Sequence, residues 1–361
     1  MPSLFDPLRV GSLDLPNRIF MAPLTRGRAT REHVPTPMMA DYYAQRAGAG
    51  LIVSEATGMS AQGLGWPYAP GIWTPEQMEA WKPVTQAVHA GGGRIFCQLW
   101  HMGRAVHSSV TGEQPVSASA TAAPGQAHTY EGRQAYEEAR ALRVEEIPGL
   151  LGQYRAAAQY AIGAGFDGVQ LHAANGYLID QFMRDNSNFR DDDYGGSVDN
   201  RIRVLKEATE AVAGAIGAER TAVRLSPNGE SQGANDSDPV AVFTAAARAL
   251  DAIGIAFLEL REPPPHGTFG KSDVPPVSPH IRKVFHAPLV LNSDFDQGLA
   301  EAALHDGKAD AVAFGRPFIG NPDLAARFER GLALTKDDPK TWYSQGAEGY
   351  VDYPAAEMVA A

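Results

Sequence analysis

Eight short apolar segments, spread along the whole chain and each ending in small or polar residues, leave few architectures open to this sequence. They are Ile19–Leu24, Leu51–Ala56, Arg94–Trp100, Gly168–His172, Ala222–Pro227, Phe257–Glu262, Pro288–Ser293 and Ala311–Arg316. Hydrophobicity that is nearly continuous, without strict alternation, suits parallel strands covered on both faces. Helical patterns separate them, at Thr74–His89, Ile147–Ala164, Asn200–Ile216, Pro239–Ile253 and Gln297–Asp306. The first is well marked: Thr74 caps it, Pro75 follows, and Gln77 completes a capping box. Eight strand-then-helix units without a break in composition predict an α/β fold, a single (β/α)8 TIM barrel spanning 1–361. An open doubly wound sheet is the second choice, because no Gly-x-Gly-x-x-Gly fingerprint follows the first strand.

Two stretches depart from a plain barrel. Residues 1–18 precede the first strand and are expected to form a hairpin closing the barrel bottom. The link between the third and fourth strands, about 101–146, is rich in Ser, Ala, Thr, Gly and Pro. A connection that long is commonly a lid, with a passive insertion as the alternative. The net charge of −11 argues against nucleic acid or an anionic membrane as partner. No apolar run approaches the roughly 18 residues of a spanning helix, and the start MPSLFDPLRV lacks the basic-then-apolar order of a secretory signal. A cytoplasmic enzyme is the expectation. The one cysteine, Cys97, sits in an apolar run and reads as a buried inert thiol.

In a barrel of this kind the active site lies at the C-terminal rim, so the strand ends carry the chemistry. Pro23, Leu24 and Thr25 end the first strand, and Ala56 leaves room at the second. Gln98 and Trp100 lie on the third, and Arg224 brings a fixed cation on the fifth. Glu259 and Arg261 end the sixth, Ser293 and Asp294 the seventh, and Gly315 and Arg316 the eighth. The last two ends are where such barrels often hold phosphate, with Gly315 allowing close approach and Arg316 offering an anion clamp. A flat heteroaromatic ring with a phosphate tail, such as FMN, fits that arrangement. Each item has a plainer reading: Arg224 paired with a carboxylate, Gln98 satisfying a backbone group, Gly315–Arg316 as a simple turn.

The stretch from Gly168 to Arg201 adds a reactive set. His172, Asn175 and Tyr177 follow one another at the fourth strand's end. Imidazole and amide can both donate to one substrate oxygen, and a phenol with a pKa of about 10 stays protonated near neutrality. Two donors to an oxyanion and a proton source are the equipment for reducing a conjugated carbonyl. A loop that merely caps the next helix is the alternative.

Several segments together carry a resemblance: Met21-Ala22-Pro23-Leu24-Thr25-Arg26, Ser54-Glu55-Ala56-Thr57, Gln98 to Arg104, His172 to Leu178, Tyr194-Gly195-Gly196-Ser197, Phe314-Gly315-Arg316 and Glu348-Gly349-Tyr350. In unbroken order along nearly the whole chain, they resemble the old yellow enzyme family. The resemblance implies a TIM barrel with tightly bound, non-covalent FMN and NAD(P)H-dependent reduction of electron-poor alkenes (enones, enals, maleimides, nitroalkenes) in ping-pong fashion. It implies that Thr25 meets the flavin O4 and N5 edge, that Pro23, Leu24, Ala56 and Gln98 contact the ring, and that Arg224 holds the N1–O2 edge. Ser293, Asp294, Gly315 and Arg316 would hold the phosphate. His172 and Asn175 would grip the substrate oxygen and Tyr177 would protonate the alpha carbon, while hydride reaches the beta carbon. Trp66, Trp100 and Tyr350 would line the substrate pocket, and Arg140 in the lid would help recruit NAD(P)H. A monomer or homodimer is expected.

Some residues depart from that pattern. Asn175 stands where many relatives carry a second histidine, and Trp66 where tyrosine is common. Asp294 is odd beside a phosphate, so its N–H is expected to be used and its carboxylate to point away. Trp66, Tyr68 and Trp73 are either pocket wall or packing. Asp191 to Asp193 read as solvated or capping, and no metal is expected. A Schiff-base lyase needs a lysine at a strand end, and none of the seven lysines sits there. The iron–sulfur relatives of this barrel need more cysteines than one. A flavin-binding ligand sensor without turnover is the remaining alternative.

Overall fold

The computed structural model describes residues 2–356; residue 1 and residues 357–361 of the expected domain lie outside the described residues. Eight parallel strands form a closed barrel: β1 Ile19–Met21, β2 Leu51–Val53, β3 Ile95–Trp100, β4 Gly168–His172, β5 Thr221–Leu225, β6 Phe257–Arg261, β7 Leu289–Asn292 and β8 Ala311–Phe314. Each pairs with the next, β8 returns to β1, and β3 pairs with β4, so no edge is left. All eight apolar segments of the sequence are strands. Several stop short of the expected ends because proline intervenes: β1 ends before Pro23 and β6 before Pro263, which have no N–H for a ladder.

Strand side chains alternate between barrel interior and helix layer, and the burial follows that period. Phe20, Leu51, Val53, Phe96, Ala222, Phe257, Val290 and Ala311 pack inside the barrel, with Phe257 edge-on to Phe20 at 5.7 Å. The N-terminal hairpin, Leu8–Val10 against Leu13–Leu15, inserts Val10 and Leu15 into that same cluster and plugs the barrel bottom as expected. Two residues further along several strands, the interior turns polar: Gln98, Gln170, Arg224, Glu259 and Asn292. The alternate residues, among them Leu99, Leu171, Val223, Leu258 and Val312, face the helices in the large outer core.

The helix layer contains α1 Pro37–Ala44, α2 Pro75–Ala90, α3 Ile147–Gly163, α4 Arg203–Ile216, α5 Pro239–Ile253, a single turn α6 Ser278–Ile281, α7 Gln297–His305 and α8 Leu324–Glu329. The Thr74 capping box is present, with Gln77 N–H donating to Thr74 Oγ1 at 3.2 Å and Thr74 N–H to Gln77 Oε1 at 3.2 Å. The pattern expected as one helix from Asn200 is instead a turn, Val198–Arg201, capped by Ser197, followed after Ile202 by α4. The segment 101–146 is structured: a helical turn Ser108–Thr111, a hairpin Gln126–Thr129 with Gly132–Ala135, and a parallel pair Val116–Ser117 with Arg140–Ala141. Its base is tied to the β4 loop by Gln181, whose fully buried amide accepts from Ser117 Oγ at 2.9 Å and donates to Gly176 O at 2.7 Å.

Candidate functional site

Above the polar layer the barrel mouth opens into a cavity of about 500 Å³. Pro23, Leu24, Thr25, Ala56, Trp66, Gln98, Trp100, His172, Asn175, Tyr177, Arg224, Ser293, Asp294, Gly315 and Arg316 all line it. Of the residues assigned from sequence to the cofactor, the catalytic set and the substrate pocket, only Tyr350 falls elsewhere.

The loop after β4 is fixed from below. Asn175 has φ 60°, unusual for a residue with a side chain, and its N–H donates to Ser226 Oγ at 2.7 Å. Gly176 follows at φ 74°, and a Cβ there would meet Ser231 O at 2.2 Å, so only glycine fits. Gly176 N–H donates to Asp180 at 2.8 Å, and Asp180 pairs with Arg184 at 2.8 Å with both side chains fully buried. This frame brings the three reactive groups together. Tyr177 stands edge-on to His172 at 4.9 Å and to Trp100 at 5.0 Å. Gln232 Nε2 donates to the Asn175 carbonyl at 3.3 Å, and Arg261 donates to Asn175 Oδ1 at 3.2 Å.

The electrostatics keep this set neutral. Burial, aided by the Arg224 and Arg261 charges, pulls the His172 imidazole well below its ordinary range. Its Nδ1 is buried without a protein partner, as is Trp100 Nε1, and orphans of this kind await a ligand. Burial also lifts the Tyr177 phenol well above its usual value, so it remains a proton donor. Burial first, and Arg224 second, lower Arg261 to about 10, which leaves it charged near neutrality.

Beneath them runs a hydrogen-bonded girdle. Gln98 Nε2 donates to Gln170 Oε1 at 2.7 Å, and Gln170 Nε2 to Glu259 Oε2 at 2.8 Å. Glu259 pairs with Arg224 Nε at 2.9 Å, and Arg224 Nη2 donates to Asn292 Oδ1 at 2.7 Å. The plainer reading of Arg224, an ion pair, is therefore also true. Among the described residues the girdle leaves Gln98 Oε1 and Arg224 Nη1 without a hydrogen-bond partner, on side chains that line the cavity. An acceptor for a ring N–H beside a cation for an electron-rich oxygen is what the pyrimidine edge of FMN requires, so the residues fit that group. Gln170 and Asn292 were not singled out from sequence; their position two residues along from an inward apolar residue was the available signal.

At the other end, Ser293 and Asp294 line the cavity and hold φ values of 114° and 52°, consecutive strained residues. Arg316 lines the cavity and has a partner there. Its guanidinium lies on the Asp294 carboxylate at 2.8 Å and on the Thr268 hydroxyl. The Asp294 carboxylate also accepts from Thr268 N–H at 3.1 Å, so it is occupied by the 263–277 loop rather than left facing a phosphate. At Gly315 a Cβ would come within 3.3 Å of Leu24.

Tyr350 needs correction. It is fully buried, stacked on Tyr42 at 4.1 Å and flanked by Arg26 and Arg28 at 5.3 and 4.7 Å. The C-terminal segment instead presents Trp342 and Tyr343 to the cavity. Arg26 and Arg28 hold that segment by its carbonyls, including Trp342 O at 3.1 and 2.8 Å and Gly349 O at 2.7 Å. Sequence reasoning missed Tyr343, which meets Trp66 at 5.2 Å; His128 of the 101–146 segment packs on Trp66 at 4.4 Å and lies 6.3 Å from Tyr343, so the three rings form one cluster. Tyr68 packs on Tyr130 and Trp73 on His33, away from the cavity. Arg140 lies outside the cavity lining, and both its terminal nitrogens bind Glu146, at 2.8 and 2.9 Å. Asp192 pairs with Arg190 at 2.6 Å. Cys97 is free and buried, its thiol pushed up to about 12. No lysine lines the cavity. Among the described residues no helix is long and apolar enough to cross a membrane.

Residues 3–335 match the family model described as NADH:flavin oxidoreductase / NADH oxidase. The chain is 40% identical over 360-odd positions to 12-oxophytodienoate reductase 1 of Oryza sativa subsp. japonica, covering 99% of this chain and 94% of the relative. Among solved structures it is similar to the old yellow enzyme homologue from Zymomonas mobilis, with TM-score 0.97, 64% identity, and coverage of 98% and 99% of the two chains. Morphinone reductase gives TM-score 0.94 and 47% identity, covering 99% of this chain and 97% of the other. Morphinone reductase in complex with tetrahydroNAD gives 0.92 and 47%, with 98% of each chain covered.

Proposed function

The chain belongs to the NADH:flavin oxidoreductase / NADH oxidase family, within the old yellow enzymes, and on that premise we propose that it reduces electron-poor alkenes such as enones, enals, maleimides and nitroalkenes. It is an NAD(P)H-dependent oxidoreductase whose cofactor is FMN. The observation that carries the substrate class is the neutral His172 beside Asn175, with the Tyr177 phenol 4.9 Å away between ring centroids. A carbonyl or nitro oxygen seated on the two donors would gain negative charge as the double bond is reduced. Donors already aimed at that position favour the transition state over the ground state.

FMN, when bound, supplies the hydride for the beta carbon. The protein's own part is to hold and protonate. Gln98, through its free Oε1, and Arg224, through its Nη1, would fix the ring edge, with Thr25, Pro23, Leu24 and Ala56 about it. Among the described residues the Thr25 hydroxyl forms no hydrogen bond within the protein, which leaves it free for the cofactor. Backbone groups of Ser293, Asp294, Gly315 and Arg316 would hold the phosphate. His172 and Asn175 bind and polarise the oxygen. Tyr177 keeps its proton because it is buried, and delivers it to the alpha carbon. Trp66, Trp100, Phe269, Trp342 and Tyr343 narrow the mouth and limit the entry of water. A cytoplasmic setting, where NAD(P)H is supplied, belongs to the same reading.

Anaerobic reduction of the purified yellow holoenzyme by NAD(P)H, followed by mixing with 2-cyclohexenone, N-ethylmaleimide or 1-nitrocyclohexene, tests it. Reoxidation of the flavin with one saturated product per flavin is expected. A flavin that stays reduced with all three alkenes would leave ligand sensing as the better account.

A further inference from the structure

The Asn175 amide has two faces. Oδ1 accepts and Nδ2 donates, and a half-turn of the last torsion exchanges them. Only one orientation offers a donor to a substrate oxygen. The backbone contacts of Asn175, to Ser226 and Gln232, fix where the side chain starts but not which way the amide turns. Arg261 does that. Its Nη1 donates to Asn175 Oδ1 at 3.2 Å. A guanidinium has donors and no acceptor, so the opposite orientation would set the amide NH2 against a cation's N–H groups.

Arg261 is itself held in place. Nη2 donates to the Phe269 carbonyl at 2.6 Å, and the guanidinium lies 5.8 Å from the Phe269 ring. Among the described residues it forms no ion pair, whereas two other arginines at the barrel rim do: Arg224 with Glu259, and Arg316 with Asp294. Its charge is therefore only partly offset, by Asp294 beyond ion-pair distance. A cation on the carbonyl side of an amide draws electron density away from the nitrogen and strengthens the NH2 as a donor.

We propose that Arg261 is a positioning residue for the oxygen-gripping pair, holding the Asn175 amide with its NH2 toward the substrate and strengthening that donor. The claim rests on the reading of His172 and Asn175 given above. It explains how an asparagine, whose two ends are nearly the same size, serves beside a histidine without losing half its molecules to the wrong orientation.

The test is a double-mutant cycle in the holoenzyme: Arg261→Met, Arg261→Lys, Asn175→Ala, and Asn175→Ala with Arg261→Met. Dithionite-reduced protein is mixed anaerobically with 2-cyclohexenone, a neutral probe that Arg261 does not attract as an ion. The reoxidation rate constant and half-saturation concentration are read, with the oxidised visible spectrum and Tm as folding controls. Arg261→Met should lower the ratio of rate constant to half-saturation about five- to tenfold, the size of one assisted hydrogen bond. Arg261→Lys, which keeps a charged donor for Oδ1, should recover most of the loss. On the Asn175→Ala background, Arg261→Met should change the ratio by less than about twofold. An equal loss on both backgrounds would overturn the proposal, because Arg261 would then act without Asn175. No loss in Arg261→Met while Asn175→Ala is impaired would overturn it too. An unimpaired Asn175→Ala would remove the pair's role and the proposal together, whereas an unmutated enzyme that cyclohexenone never reoxidises would refute the proposed function itself.

Discussion

Replacing Tyr177 with phenylalanine removes one oxygen atom from the cavity wall and leaves the ring in place. The edge-on contacts to His172 at 4.9 Å and Trp100 at 5.0 Å involve the ring alone, so the fold and flavin content should survive, with stability changed by no more than about 1 kcal/mol. What is lost is a proton donor. A positioned general acid contributes roughly 10² to 10⁴ in rate. The Tyr177 side chain is partly open to the cavity rather than sealed, so water can reach the same carbon, and the loss should lie near the lower end. That is about 10²-fold, or about 2.7 kcal/mol at about 1.4 kcal/mol per decade. The assay is stopped-flow with the two half-reactions separated: reduction by NAD(P)H, then reoxidation by 2-cyclohexenone. Reduction should stay within about twofold of the parent, because it needs no phenolic proton. In the parent, the pKa raised by burial keeps the donor form populated above pH 10, so alkaline loss of reoxidation should begin only beyond that pH. Equal slowing of both half-reactions, or unaltered reoxidation, would refute the assignment.

Other outcomes follow from the same geometry. His101 is fully enclosed and its pKa falls to about 3 through burial; the unfolded chain therefore binds a proton below about 6.5 that the folded one refuses. Its contribution to stability is complete above pH 6.5 and is lost as pH falls toward 3, at about 1.4 kcal/mol per unit, and His101→Asn should flatten that slope in urea titrations. Tyr350→Phe should leave cyclohexenone saturation unchanged and Tm equal or slightly higher, because the buried hydroxyl has no partner, while Tyr343→Ala should shift KM. Asp180→Ala strands the fully buried Arg184 and frees Gly176 N–H, which should cost about 3–5 kcal/mol in chemical denaturation.

Much of the barrel was readable because its strands are short, apolar and punctuated, and because inward and outward residues alternate. Phe96, Gln98 and Trp100 show the logic on one strand: packed core, polar layer, cavity wall. The α2 start was legible in Thr74 and Gln77 alone, since a capping box is local. Pairings across the barrel were not. That Gln98 leans on Gln170, and Arg224 on Glu259, depends on barrel closure, which no local pattern encodes. The same holds at the other end of the cavity: the sequence places Asp294 and Arg316 apart, and only the fold puts 2.8 Å between them. The C-terminal segment has no periodicity, so the choice between Tyr343 and Tyr350 was settled by Arg26 and Arg28 holding its carbonyls.

The girdle from Gln98 to Asn292 joins five strands through side chains that each depend on a neighbour, whereas Trp66, Phe269 and the adjacent Trp342 and Tyr343 come from three loops and, among the described residues, form no hydrogen bond with it. Diversification of this scaffold therefore has two speeds. The loops can accept many exchanges, and with them new guests at the entrance, while the electron-handling floor tolerates almost none without a compensating second change.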